Sequence, residues 1–138
     1  MLALEPTIKE RLEALPALSG WVVSGITVPE GPGADRQLTL RVGTVQVGDA
    51  KAMATSVSPS WEMRLSVPRS AAAALELDAA FAAILASFHG WFPGDVTGRI
   101  WERMALSAVG EISQSLGEGR AGISLSFATS AKFDGVDE

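Results

Sequence analysis

Residues 70–92 read SAAAALELDAAFAAILASFHGWF, and the reading of this stretch decides the fold. Ala71 to Ala74 are strong helix formers, and Ser70 is a good N-cap, because its hydroxyl can accept a first-turn amide. Leu77, Phe81, Ile84, Leu85 and Phe88 fall at i, i+4, i+7, i+8 and i+11, one stripe of an α-helix. Glu76 and Asp78 lie off that stripe, and Gly90 and Pro93 stop it. One long helix with a single apolar stripe needs a surface to lie on, and the flanking sequence supplies strands.

Towards the N-terminus, Leu4, Ile8, Leu12 and Leu15 recur at helical spacing, with Lys9, Arg11 and Glu13 on the other face and Pro6 in the first turn. Trp21 to Val28 is rich in β-branched residues and reads as a strand. The following PEGPGAD, residues 29–35, is a loop, long for a hairpin tip. Gln37 to Val47 alternates, with Leu38, Leu40 and Val42 on one face and Thr39, Arg41 and Gly43 on the other, and a bend is expected near Gly43. Residues 50–59 leave strand and loop both open. Ser60 to Val67 alternates again, with Trp61, Met63, Leu65 and Val67 facing one way.

Towards the C-terminus, residues 98–116 fit two patterns. Ile100, Trp101, Met104, Ala105, Ala108, Val109 and Ile112 make a helical stripe, slightly cleaner than the alternation of a strand; Gly110 counts against the helix by about 1 kcal/mol. Residues 122–133 (GISLSFATSAKF) are the clearest strand, with Ile123, Leu125, Phe127, Thr129, Ala131 and Phe133 on one face. The expected fold is α+β: a mainly antiparallel sheet with the long central helix and a short N-terminal helix packed on one face. Residues 1–138 are expected to form a single domain.

Composition narrows the function. Of 138 residues 47% are hydrophobic and 20% charged, enough apolar material for a packed core. There is no cysteine, so no disulfide framework and no thiolate zinc site, a composition that fits a reducing cytosol. The formal net charge is −5 and the basic residues are scattered, against the clustered cations of a nucleic-acid binder. No basic start followed by an apolar core marks a signal peptide. Glu76 and Asp78 argue against a membrane span, each costing roughly 2.5–3.5 kcal/mol in a bilayer.

No catalytic constellation emerges. Gly117-Glu118-Gly119-Arg120-Ala121-Gly122 matches a dinucleotide fingerprint literally, but a strand rather than a helix follows it, and Glu118 would repel phosphate. His89 is the lone histidine; as a catalytic base it would need Asp78 or Asp95 as orienter, and the simpler reading is a polar residue at the C-terminal dipole of the helix. Glu76 and Asp78, two apart, point to different sides and form no dyad. No ladder of oxygen ligands for calcium is spelled. No cofactor is expected. The tryptophans, Trp21, Trp61, Trp91 and Trp101, read as core or core rim, with interface anchoring the other use of such residues.

The order of elements carries more information than any motif. EPTIKERLEALPAL opens the chain; a strand, a Pro/Gly loop and two alternating strands follow; the long helix ends in LASFHGW at Leu85 to Trp91; ISLSFATSAKF closes it. Across the whole chain this resembles the tail terminator (tail-completion) proteins of tailed bacteriophages, including the Mu-like and prophage-encoded group. The resemblance implies that 99–109 and 121–133 form a hairpin with GEGRAG near its turn, so strand is expected at 99–109 against the periodicity. It also implies a structural virion protein, not an enzyme, assembled in the host cytoplasm. Its partners would be further copies in a hexameric ring, the tail tube protein, the head–tail connector and, in contractile tails, the sheath. Loops 29–36 and 48–59 would form interfaces, with Pro29, Glu30, Gly31, Asp35, Arg36, Asp49, Lys51 and Trp61 as candidates. DNA would pass through the lumen without specific binding, helped by the acidic balance. The alternatives are another connector, tube or baseplate subunit, or a small-molecule-binding α+β domain using His89.

Overall fold

In the computed structural model, which describes residues 1–26, 35–48, 54–117 and 119–134, the long helix α2 spans Ala73–Phe88. It buries Ala73, Leu77, Ala80, Ile84 and Phe88, with Phe81 and Leu85 half-buried beside them. Ser70 does not cap it with its hydroxyl. Residues 70–72 form a turn first, and Ser70 contributes its carbonyl, which accepts the Ala73 N–H at 3.2 Å. Helix α1, Leu4–Glu13, lays Leu4, Ile8 and Leu12 into the same core.

The sheet receives both helices on one face. Its strands are β1 (Val22–Ser24), β2 (Gln37–Val47), β3 (Ala54–Pro68), β6 (Ala105–Glu111) and β7 (Arg120–Ala128), in the order β1-β2-β3-β7-β6. β8 (Ala131–Asp134) pairs with the start of β3, while β4 (Gly94–Val96) and β5 (Arg99–Trp101) form a separate hairpin. All pairs are antiparallel except β1 with β2. A parallel pair cannot be closed by a tight turn, which accounts for the length of the loop between them. The fold is α+β, as expected, with one parallel edge.

Paired residues explain the core. Leu38 lies opposite Leu65, Leu40 opposite Met63, Val42 opposite Trp61; Trp61 and Met63 in turn face Phe127 and Leu125. These side chains all point towards the helices, which is what the alternation requires. The register slips between Val42 and Val45, where β3 presents Pro59, a residue with no N–H for the ladder. The bend expected near Gly43 is this irregularity.

Three expectations are corrected. β1 begins after Trp21 and ends before Gly25, and residues 27 and 28 of the strand read from Trp21 to Val28 lie outside the described residues. At Gly25 the chain passes against the Glu5 carboxylate, and the Ile26 N–H donates to that carboxylate at 3.0 Å instead of to a ladder. The strand read from Gly122 to Phe133 is two, β7 and β8, broken at Thr129 and Ser130. There Thr129 donates its hydroxyl to the Glu102 carbonyl at 2.6 Å, and the Ser130 carbonyl accepts the Glu102 N–H. Its facing pattern holds, with Leu125, Phe127, Thr129 and Ala131 buried.

The hairpin expected between 99–109 and 121–133 is the third. Residues 105–111 form β6, paired with β7, and a 3₁₀ turn at Ser113–Leu116 precedes the glycine-rich stretch, so the hairpin exists. Residues 99–101, however, pair with 94–96 rather than with the last strands. Trp101 and Met104 are buried from different segments: Met104 exchanges backbone hydrogen bonds with Gly90 and Trp91, while Trp101 sits in the β4–β5 hairpin. Ile100 and Val109, on the supposed stripe, are exposed.

Candidate functional site

His89 was the one residue able to anchor an enzymatic reading. It follows α2 directly, is exposed, and its Nδ1 accepts the Leu106 N–H at 3.1 Å. That bond requires Nδ1 to be unprotonated, and it holds the first residues of β6 to the end of the helix. Asp95 is engaged elsewhere, accepting the Gly98 N–H at 3.0 Å in the β4–β5 turn, where Thr97 and Gly98 both have positive φ. Asp78 lies roughly 16 Å back along the helix at 1.5 Å per residue. His89 thus binds backbone, and neither acid is its hydrogen-bond partner.

His89 closes α2, and a carbonyl near its end is met by Arg11 from α1. Its Nε and terminal nitrogen donate to the Ser87 carbonyl at 3.2 and 2.9 Å, meeting one of the carbonyls that a helix end leaves unpaired. The guanidinium also lies 4.6 Å from the centre of the Trp91 ring and 5.7 Å from that of Phe88. Neither Arg11 nor the buried Glu5 was singled out in the sequence. Each faces an element far along the chain, a relation that helical periodicity does not encode.

The glycine-rich stretch is structural where described. Gly122 is buried in β7, and a Cβ there would meet the Leu65 carbonyl oxygen and the Leu116 and Ile112 side chains. Among the described residues no group of three or more His, Asp or Glu is placed to hold a metal, and no helix is long and apolar enough to cross a membrane.

The candidate interface residues separate into three sets. Pro29, Glu30, Gly31, Asp49 and Lys51 lie outside the described residues. Asp35 and Arg36 stand just before β2 and are themselves held to the fold. Arg36 pairs with Glu76 of α2 at 3.2 Å, and the Asp35 carbonyl accepts Arg120 at 2.8 Å. The hydrogen bond to Glu76, and then its charge, hold the Arg36 guanidinium above its ordinary pKa. Trp61 is the correction: it lies within β3, wholly buried against Val42 and Phe127, and not on an accessible loop. Its indole N–H has no partner among the described residues.

What the surface offers is sheet and exposed apolar side chains. The solvent face of the sheet carries Arg41, Arg64 and Arg120. Arg41 meets Glu62 at 2.6 Å, with Arg64 at 3.7 Å from the same carboxylate; Arg120 donates to Ser66 and to the Asp35 carbonyl. The acidic balance of the whole chain therefore does not extend to the described residues of this face. Exposed large apolar residues include Val47 at 69%, Ile100 at 64% and Val109 at 51%.

Two of the solved structures that share this fold cover nearly the whole chain. One is a chain from the virion of a native gene transfer agent particle. It is 20% identical, with 91% of this chain and 92% of that one covered at a TM-score of 0.66. The other is a protein whose description names no activity, 15% identical, covering 97% and 98% of the two chains at a TM-score of 0.56. No family model and no curated protein matches the sequence.

Proposed function

We propose that this chain is a structural virion protein that caps the head-proximal end of a tail tube as a ring, ends tube polymerisation and presents a face to the head connector. The observation that carries the reading is the near end-to-end match in fold to a chain of a gene transfer agent virion. The site chemistry agrees: His89, Asp95 and Glu5 each hold backbone groups, and their role is to fix the fold.

In this reading the chain acts by shape. Copies of it form the ring, probing the last tube ring with 29–36 and 48–53, through Pro29, Glu30, Gly31, Asp35, Arg36, Asp49 and Lys51; residues 54–59, expected in the second loop, are paired strand in β3. The Arg36–Glu76 pair and the Asp35–Arg120 hydrogen bond fix the base of the first loop against α2 and β7, so a force on the loop reaches the sheet. Head connector on one side, tube on the other and sheath in a contractile tail are its partners.

The reading is tested by removing the gene from the particle's assembly set. Tubes should then lose their fixed length and fail to join heads, and supplying the protein should restore both. Tubes of normal length joined to heads in its absence would overturn it.

A further inference from the structure

Among the described residues two strand edges of this sheet are unpaired. β1 covers β2 only at Gln37–Thr39, so beyond Leu40 no described strand pairs with that side of β2. At the other end of the sheet, β6 pairs with β7 alone. Open edges invite pairing with another chain, and proteins normally guard them with Lys, Pro or inward charges. The β6 sequence ALSAVGE carries neither Lys nor Pro, and its charge comes only at Glu111. One irregularity, between Leu106 and Ala108, and the His89 bond to Leu106 protect its first residues and leave Ala108 to Gly110 bare.

We infer that the two edges join copies of this chain head to tail, β6 of one copy adding to the Arg41–Val47 edge of the next. This rests on the ring proposed above and names its interface. Three observations favour the match. The strands alternate in direction from β2 through β3 and β7 to β6, so β6 runs opposite to β2. A neighbour presented in the same orientation therefore pairs antiparallel and keeps its helices on the same side. On that helix side, β6 shows Val109, which lies opposite the buried Leu125, with Glu111 beyond it at the strand's end, and β2 shows Val45 and the exposed Val47. On the other side, β6 shows only Ala108 and Gly110, opposite Ser126 and Ser124, while β2 shows Arg41 and Gln46. Small residues thus meet long ones, and apolar residues meet apolar ones. Two β6 edges paired with each other would set small against small and leave both β2 edges open. Using two different edges makes the contact heterologous, the kind that closes into rings.

The cysteine-free chain makes the test clean. Directly opposed residues of an antiparallel pair have Cα atoms about 4.5–5.5 Å apart, within disulfide reach. Ala108→Cys combined in turn with Arg41→Cys or Gln46→Cys should, on mild oxidation, give a covalent ladder of multimers that ends at the ring, with one of the two pairs dominant. Val109→Lys, at a half-exposed position, should leave circular dichroism and melting unchanged and raise the concentration needed for assembly at least tenfold. A wild-type ring with no ladder from either pair, and undiminished in Val109→Lys, overturns the edge assignment and leaves the ring standing. Efficient dimers from Ala108→Cys alone, stopping at two, overturn it in favour of β6-to-β6 pairing. A wild-type chain that stays monomeric at every concentration and on tube ends overturns both readings.

Discussion

Replacing Phe88 by alanine isolates the contact that joins the two helices to the sheet. Phe88 is fully buried. Its ring lies edge-on to Trp91 at 5.4 Å and tilted on Phe127 at 5.9 Å between centroids, with the Arg11 guanidinium 5.7 Å away. Deleting a buried phenylalanine costs about 3–5 kcal/mol, transfer and cavity together, and the loss of two favourable ring contacts argues for the upper half of that range. Against a total stability of about 5–15 kcal/mol, that is a large share. A chain of 138 residues unfolds with an entropy of about 0.3 kcal/mol/K at roughly 2.1 cal/mol/K per residue, so a loss of about 4 kcal/mol lowers the melting temperature by about 14 °C. Leu75, on the same helix but 74% exposed, is the control, and its alanine variant should change stability by less than about 0.5 kcal/mol. Urea melts followed by circular dichroism and by tryptophan fluorescence give both values, provided the two probes coincide and the slope is unchanged. Equal losses for the two variants, or a loss under about 1.5 kcal/mol for Phe88→Ala, would refute the assignment of the helix face.

Gly122→Ala should destabilise by about 1–3 kcal/mol or more, since the new methyl meets the Leu65 carbonyl between paired central strands. Gly110→Ala, whose Cβ would lie 3.5 Å from the Ser124 hydroxyl, should be tolerated in the same urea melts. Glu5→Ala removes the acceptor of the Ile26 N–H; a cost of about 1–3 kcal/mol and faster hydrogen exchange at that amide are expected. The Glu111 carboxylate is held below the ordinary glutamate range by hydrogen bonds from the Ser113 hydroxyl and from the Ser113 N–H at 2.8 Å. A carboxyl whose folded pKa is lowered stabilises the fold above its unfolded pKa and loses that contribution as pH falls through the folded value. A carbon-detected NMR titration should therefore show Glu111 titrating low, and Ser113→Ala should move it up.

Local pattern made much of the fold legible. The apolar spacing of α1 and α2 and the alternation of β2, β3 and β7 name most of the large buried side chains, because one face of each element lies on one core. What the sequence hid were relations between distant elements. The three- and four-residue spacing from Ile100 to Met104 looks helical, yet it arises from a hairpin and a crossing segment that bury Trp101 and Met104 separately. The break at Thr129 depends on Glu102, and the end of β1 depends on Glu5, partners far away along the chain. The proposed assembly surface was the least legible part. Trp61 looked like an anchor beside a loop and proved to be core, whereas the open edges of β2 and β6 are visible only once the strand order is known.

Locating the subunit in purified particles by cryo-electron microscopy puts the account at greatest risk. Density for this fold should appear as one closed ring between the last ring of the tail tube and the head connector, and nowhere else. Finding it repeated along the tube, built into the baseplate, or missing from the particle would contradict the account.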